Sequence, residues 1–175
     1  MITMEYRSPL GPMLLAADEA GLTGAWFEGQ KYFARGLADA QPGTSDALAQ
    51  AARWLDAYFS GREPDFLPPL RPRGSPFQLA VWRKLLEIPY GQTTTYGAIA
   101  RAVASDEGRA SVPAQAVGGA VGHNPISILI PCHRVVGSNG SLTGYAGGIH
   151  KREQLLELER ADMRRFFLPK KGTAL

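Results

Sequence analysis

Apolar residues along this chain change their spacing, and each change predicts a different kind of element. Between Ile2 and Phe27 they alternate with polar residues or cluster in short runs. Ile2-Thr3-Met4-Glu5-Tyr6-Arg7 alternates, Met13-Leu14-Leu15-Ala16-Ala17 is an apolar run, and Leu22-Thr23-Gly24-Ala25-Trp26-Phe27 follows. Ser8-Pro9-Leu10-Gly11-Pro12 and Asp18-Glu19-Ala20-Gly21 separate them as turn material, so a small antiparallel meander is predicted. From about Ser45 to Ser60 the spacing becomes helical through Leu48, Ala51, Ala52, Leu55 and Phe59, and Gly61 suits the position just past a helix end.

Glu63 to Pro76 holds five prolines and almost no periodicity, the composition of a linker. Helical spacing then returns. Ser75-Pro76-Phe77-Gln78 reads as a capping box, and Phe77, Ala80, Val81, Leu85 and Ile88 form one stripe ended by Pro89 and Gly91. Thr95 can cap a short helix over Tyr96 to Val103, and Pro113 opens another over Ala114 to Val121. Two short helices joined by a polar turn predict a helix-turn-helix. Ile126 to Ile130 reads as a buried strand, Gly137 to Gly148 as a glycine-rich loop, and Lys151 to Asp162 as a last helix, with a frayed tail from Pro169. The predicted class is α+β. A β-rich domain with one helix spans residues 1–62, a proline-rich linker 63–74, a mostly helical domain 75–165 and a tail 166–175.

Composition narrows the class little further. The chain has 175 residues, 45% hydrophobic and 20% charged, as in an ordinary globular protein. No apolar run approaches a membrane span, and the first residues lack the basic start and apolar core of a signal peptide, so a cytoplasmic protein is expected. Net charge is only +3, but Arg71, Arg73, Arg83, Lys84, Arg101, Arg109, Arg134, Lys151 and Arg152 all fall from the end of the proline-rich stretch onward, a bias compatible with a polyanion partner.

The candidate chemistry centres on Cys132, the single cysteine. One cysteine can form neither an internal disulfide nor a thiolate zinc cage, so no metal is expected. A lone cysteine is often just a small buried hydrophobe. Here it follows Pro131 and precedes His133 and Arg134, and nearby base or positive charge can lower a thiol's ordinary pKa of roughly 8.5 by several units. By itself Cys132 beside His133 permits several reactive-thiol chemistries.

The surrounding string is more specific. Asn124-Pro125-Ile126-Ser127-Ile128-Leu129-Ile130-Pro131-Cys132-His133-Arg134-Val135-Val136, followed by Gly144-Tyr145-Ala146-Gly147-Gly148, resembles the O6-alkylguanine-DNA alkyltransferases. The likeness is close over residues 75–160, with Pro76-Phe77-Gln78, Gly91-Gln92-Thr93-Thr94-Thr95-Tyr96 and Leu155-Leu156, and weaker over residues 1–62. It implies a ribonuclease H-like N-terminal domain and a winged-helix-like C-terminal one. It also implies irreversible transfer of an alkyl group from O6-alkylguanine, and from O4-alkylthymine, in double-stranded DNA to Cys132, in a single turnover with nucleotide flipping. No cofactor is implied, and a monomer is expected.

The resemblance also assigns roles. His133, through a bound water, would take the thiol proton, with Glu159 orienting the imidazole and Asn124 ordering the network. The Tyr96 hydroxyl would address the base at N3. The backbone of Tyr145 and Ala146 would donate to O6, and the carbonyls of Cys132 and Val135 would accept from the exocyclic amine. Thr95, Ala114, Gln115, Ala116, Gly118, Gly119 and Arg134 would face DNA, the small residues letting the second helix enter a narrow minor groove. His123 and His150 have no matched role.

This chain departs from the family pattern at Gln115, where an arginine is usual. Glutamine lacks the fixed charge and stacking plane that fill the space of an extruded nucleotide. Weaker flipping or weaker DNA affinity follows, or partial substitution by Arg109 in the loop from Ala104 to Ser111. Three other classes compete: a cysteine hydrolase, a DNA-binding redox sensor switched at Cys132, and a non-catalytic damage-binding relative. The presence of Cys132 argues against the last.

Overall fold

In the computed structural model, which describes residues 1–37, 39–140 and 148–164, the chain forms two compact units. One is Met1–Arg73 with Pro125–Leu129; the other is Gly74–Asn124 with the residues from Ile130 onward.

In the first unit the three apolar stretches are strands β1 (Ile2–Ser8), β2 (Gly11–Ala17) and β3 (Leu22–Phe27). They pair antiparallel as predicted, and a two-residue strand β4 (Gln41–Pro42) adds in parallel to β1, giving the order β3-β2-β1-β4. Every residue of β3 is buried, so it reads as continuous apolar sequence rather than as alternation. Helix α1 (Asp46–Phe59) packs against β1 and β2. Ser45 caps it by accepting from the Leu48 amide at 3.2 Å, and Leu48, Ala51, Trp54, Leu55 and Tyr58 form its buried face. Full burial of Leu48 and of Leu55 contributes about 1.5–3 kcal/mol each.

Two segments expected elsewhere complete this unit. The end of the proline-rich stretch bonds along β3: the Leu22 amide donates to Pro69 O at 2.8 Å, and the Arg71 amide to Leu22 O at 2.7 Å. Further along, Ala25 exchanges bonds with Pro125 O and the Ser127 amide. Both contacts satisfy backbone groups on an otherwise open strand edge. The strand predicted over Ile126 to Ile130 therefore ends almost at once. Ile128 takes φ 72°, and the Leu129 amide turns back to Ser127 O at 2.9 Å. A β-branched residue there is strained by about 1–3 kcal/mol, and burial of Ile128, Leu129 and Ile130 outweighs it.

The second unit opens with α2 (Pro76–Leu85), whose capping box is formed: the Gln78 amide donates to Ser75 Oγ at 3.1 Å, and the Ser75 amide to Gln78 Oε1 at 2.9 Å. Next come β5 (Thr94–Thr95), α3 (Tyr96–Asp106) and α4 (Ala114–Gly122). Helices α2, α3 and α4 pack on one another, and Trp82 Nε1 donates to Ala120 O at 2.8 Å to lock α2 to α4. Thr95 caps α3 by accepting from the Ala98 amide at 3.1 Å. A 3-10 turn, Cys132–Arg134, leads into β6 (Val135–Val136), which pairs in parallel with β5.

The last helix, α5, runs Ile149–Leu158, starting two residues before the predicted Lys151 and ending four before Asp162. The expected frayed tail lies outside the described residues, as does much of the glycine-rich loop. Among the described residues no helix is long and apolar enough to cross a membrane.

Candidate active site

The parallel pairing of Thr94 with Val135 and Thr95 with Val136 is the local cause of the site. It places the start of α3, and so Tyr96, beside the strand that leaves the Cys132 turn. Cys132 is 3% exposed. Its amide donates to Ile130 O at 2.8 Å, and its carbonyl accepts from the Val135 amide.

Asn124 sits just past α4. Its Nδ2 donates to Ile130 O at 2.8 Å, and its side chain also hydrogen-bonds Cys132. Burial pushes the Cys132 thiol up, opposed by the Asn124 bond and the charge of Arg152.

His133 and Glu159 are buried together, with His133 Nε2 at 2.5 Å from Glu159 Oε2. Burial pushes the His133 imidazole down despite that carboxylate, so the ring is neutral at pH 7. Burial opposes ionisation of Glu159 too, but the His133 bond and the Arg134 guanidinium outweigh it and hold the carboxyl well below the usual range. Because the carboxylate only accepts, Nε2 carries the proton and Nδ1 the lone pair.

Glu159 follows the last helical residue of α5, at the end where the helix dipole disfavours an anion. Four donors offset this. Oε1 accepts from Arg134 Nε at 2.8 Å and from the Gly91 amide at 3.0 Å, while Oε2 accepts from His133 and from Arg134 Nη2 at 3.2 Å. Gly91 has φ 78°, and a Cβ there would meet Glu159 O at 3.0 Å, so this donor requires glycine.

The placement of Arg134 corrects its expected role as a DNA contact. It is buried, and its third nitrogen, Nη1, donates to Ile88 O at 2.8 Å. A guanidinium gripping an interior carboxylate and a carbonyl is not presented to a phosphate.

Tyr96 is half-buried, and its hydroxyl accepts from Arg152 Nη2 at 3.4 Å. Val135 is buried in β6. On α4, Ala114, Gln115, Ala116 and Gly119 are exposed, whereas Val117, Ala120 and Val121 face inward. Gly118 is half-buried: a Cβ there would lie 3.9 Å from the Tyr96 ring. Thr95 is half-buried as the cap of α3. Tyr145 and Ala146 lie outside the described residues. Among the described residues no group of three or more His, Cys, Asp or Glu could hold a metal ion.

Sequence reasoning missed Gly91 and Arg152. Gly91 carried only a helix-ending signal. Arg152 shares with Glu159 the face of α5 marked by Leu155 and Leu156, a spacing that could have flagged it.

Residues 76–161 match the family described as 6-O-methylguanine DNA methyltransferase, DNA binding domain, and residues 1–72 match the 6-O-methylguanine DNA methyltransferase, ribonuclease-like domain. A methylated-DNA–protein-cysteine methyltransferase of Methanosarcina acetivorans is 44% identical over 155 residues, covering 88% of this chain and 95% of the relative. The protein of that name from Mycobacterium tuberculosis is 46% identical over 162 residues, covering 90% and 93%. The crystal structure of Mycobacterium tuberculosis OGT in complex with DNA aligns with a TM-score of 0.79 at 40% identity, covering 95% of each chain.

Proposed function

Because this chain belongs to the 6-O-methylguanine DNA methyltransferase family, we propose that it repairs DNA by moving the alkyl group of O6-alkylguanine onto Cys132, once per molecule. O4-alkylthymine is a second substrate of the same chemistry. The observation that carries this reading is the joint burial of Cys132 and His133 in one turn with Asn124 and Glu159 bonded to them, the imidazole neutral and the carboxylate ionised.

An alkyl carbon on guanine O6 is a poor electrophile, so its attacker must be a sulfur anion. His133 takes the thiol proton at Nδ1 through a bridging water, and Glu159 holds the ring and stabilises its positive form. Sulfur then bonds to carbon as the carbon–O6 bond breaks, and Tyr96 gives a proton to N3 of the departing guanine. The product is a thioether that water does not hydrolyse, so the protein is spent.

Guanine O6 is out of reach of a buried sulfur while the base is stacked. The nucleotide is therefore rotated out, at about a few kcal/mol and less where pairing is already damaged. The exposed small residues of α4 let that helix lie close to the duplex without reading bases, as repair at any sequence requires. The protein acts as a monomer on double-stranded DNA, in the cytoplasm, where its thiol stays reduced.

The deciding experiment is stoichiometric. Incubation with a duplex carrying O6-methylguanine adds one methylene to the tryptic peptide bearing Cys132, one equivalent per protein and no more. Cys132→Ala abolishes transfer and keeps DNA affinity within a few-fold. Turnover of many equivalents with the thiol intact overturns the reading. Catalytic cleavage of a peptide ester would establish the hydrolase instead, and a large affinity loss in Cys132→Ala the redox sensor.

A further inference from the structure

Arg152 is 0% exposed on α5, and no step above uses it. It stands about two helical turns before Glu159 on the same face of α5. The two charges serve different halves of the site. Glu159 engages His133 and Arg134, while Arg152 Nη2 reaches the Tyr96 hydroxyl. Replacing a buried charge by an apolar side chain of similar volume is often neutral or stabilising. Stability alone therefore does not explain an arginine here.

A guanidinium has only donors, whereas a hydroxyl has one donor and two acceptor sites. In the Arg152–Tyr96 bond the phenol oxygen must accept, so its own proton is turned away from Arg152. The β5–β6 register sets Tyr96 beside the strand that leaves the Cys132 turn, and the charge of the guanidinium bonded to Tyr96 favours the sulfur anion and disfavours the imidazolium. Its charge therefore favours a sulfur anion whose proton has passed beyond His133, rather than a thiolate–imidazolium pair.

We propose that Arg152 is a positioning residue for both ends of the reaction: it directs the Tyr96 proton toward the leaving base and supplies the positive charge beside the attacking sulfur. This rests on the alkyl-transfer reading. During the step the sulfur–carbon bond forms, the carbon–O6 bond breaks with its electron pair passing to the purine, and Tyr96 protonates N3. The proton that His133 took from sulfur returns through solvent to Tyr96. Arg152 neither gains nor loses a proton. Its charge also offsets the negative charge on the Tyr96 oxygen while that proton is away.

Two readouts test the proposal, one without DNA. The pH dependence of Cys132 alkylation by iodoacetamide is compared in native protein, Arg152→Gln and Arg152→Lys. Arg152→Gln should raise the midpoint by about one pH unit and slow the reaction about tenfold at neutral pH. Arg152→Lys, which keeps the charge, should leave the midpoint near native. In the second readout, transfer from an O6-methylguanine duplex is measured with and without Tyr96→Phe. Tyr96→Phe should slow native protein more than it slows either Arg152 variant.

A native midpoint in Arg152→Gln overturns the proposal, as do Tyr96 and Arg152 effects that simply multiply. If Arg152→Gln does not fold, the Arg152→Lys and Tyr96→Phe pair decides by the same criterion. Native protein that leaves the methyl group on DNA while the iodoacetamide midpoint still shifts would sink the alkyl-transfer reading and the Tyr96 half, and leave the sulfur half standing.

Discussion

Arg134 and Glu159 meet in the interior as a two-point pair, Nε on Oε1 at 2.8 Å and Nη2 on Oε2 at 3.2 Å, with both side chains almost fully withdrawn from solvent. Such a pair is expensive to break, because removing one partner leaves the other charged and uncompensated. Arg134→Leu should therefore destabilise the protein by about 3–5 kcal/mol, read as a lowered urea midpoint. Were Arg134 instead a phosphate contact, the same change would spare stability and reduce the salt slope of DNA binding by about one. That second outcome would return Arg134 to the DNA surface.

Burial of His133 and the hydrogen-bonded ion pairs of Glu159 make stability depend on acid in two stages. His133 is held below its ordinary value, so the unfolded chain binds a proton that the folded protein refuses. Its contribution is complete above about pH 6.5 and is lost as pH falls toward the folded imidazole's own titration. Glu159 is also lowered, so its contribution is complete above the ordinary carboxylate value of about 4.3 and is lost on further acidification. Urea midpoints should fall on going from pH 7 to pH 5, and His133→Gln should flatten that first stage. An unchanged slope in the variant would assign the loss to other groups.

These two predictions rest on residues whose partners differ in how visible they were in sequence. The three strands, α1, and the capped starts of α2 and α3 were legible because period, cap and turn residues agreed locally. Cys132 and His133 stood out as a lone thiol beside a base, and Asn124 through the family resemblance of the string that holds it. Residues Ile126 to Ile130 misled because apolar, β-branched sequence favours a strand whether or not a strand partner is available. Here only the start of the stretch finds β3, and burial then imposes a left-handed turn at Ile128. Arg134 misled for a related reason: sequence shows a charge but not whether a carboxylate waits for it inside.

Gly119 separates packing from DNA approach. It lies on the exposed face of α4 with nothing within 4 Å of where a Cβ would be, so the fold does not require glycine there. Gly119→Ala should raise stability by about 0.5–1 kcal/mol, the ordinary helix-interior gain. Gly119→Leu should leave the fold intact and weaken duplex binding at least about tenfold, the scale of 1.4 kcal/mol or more of steric cost. The paired measurement is a denaturation curve and a DNA titration on the same variants. Full DNA affinity in Gly119→Leu would remove this face of α4 from the groove.

Gln115, exposed one residue into the same helix, is the position where an arginine would do more. A glutamine can hydrogen-bond to an orphaned base but brings neither charge nor a planar fork to fill the gap left by a flipped nucleotide. Gln115→Arg should tighten binding to duplex DNA or speed alkyl transfer. Any new phosphate contact should also steepen the loss of affinity with salt, since each neutralised phosphate releases counterions. The three effects are separable by titration at two salt concentrations and by single-turnover rates at saturating protein. If none changes, some other residue already occupies the vacated space. Arg109, exposed in the turn between α3 and α4 and paired with Glu107 at 3.4 Å, is the first to remove next.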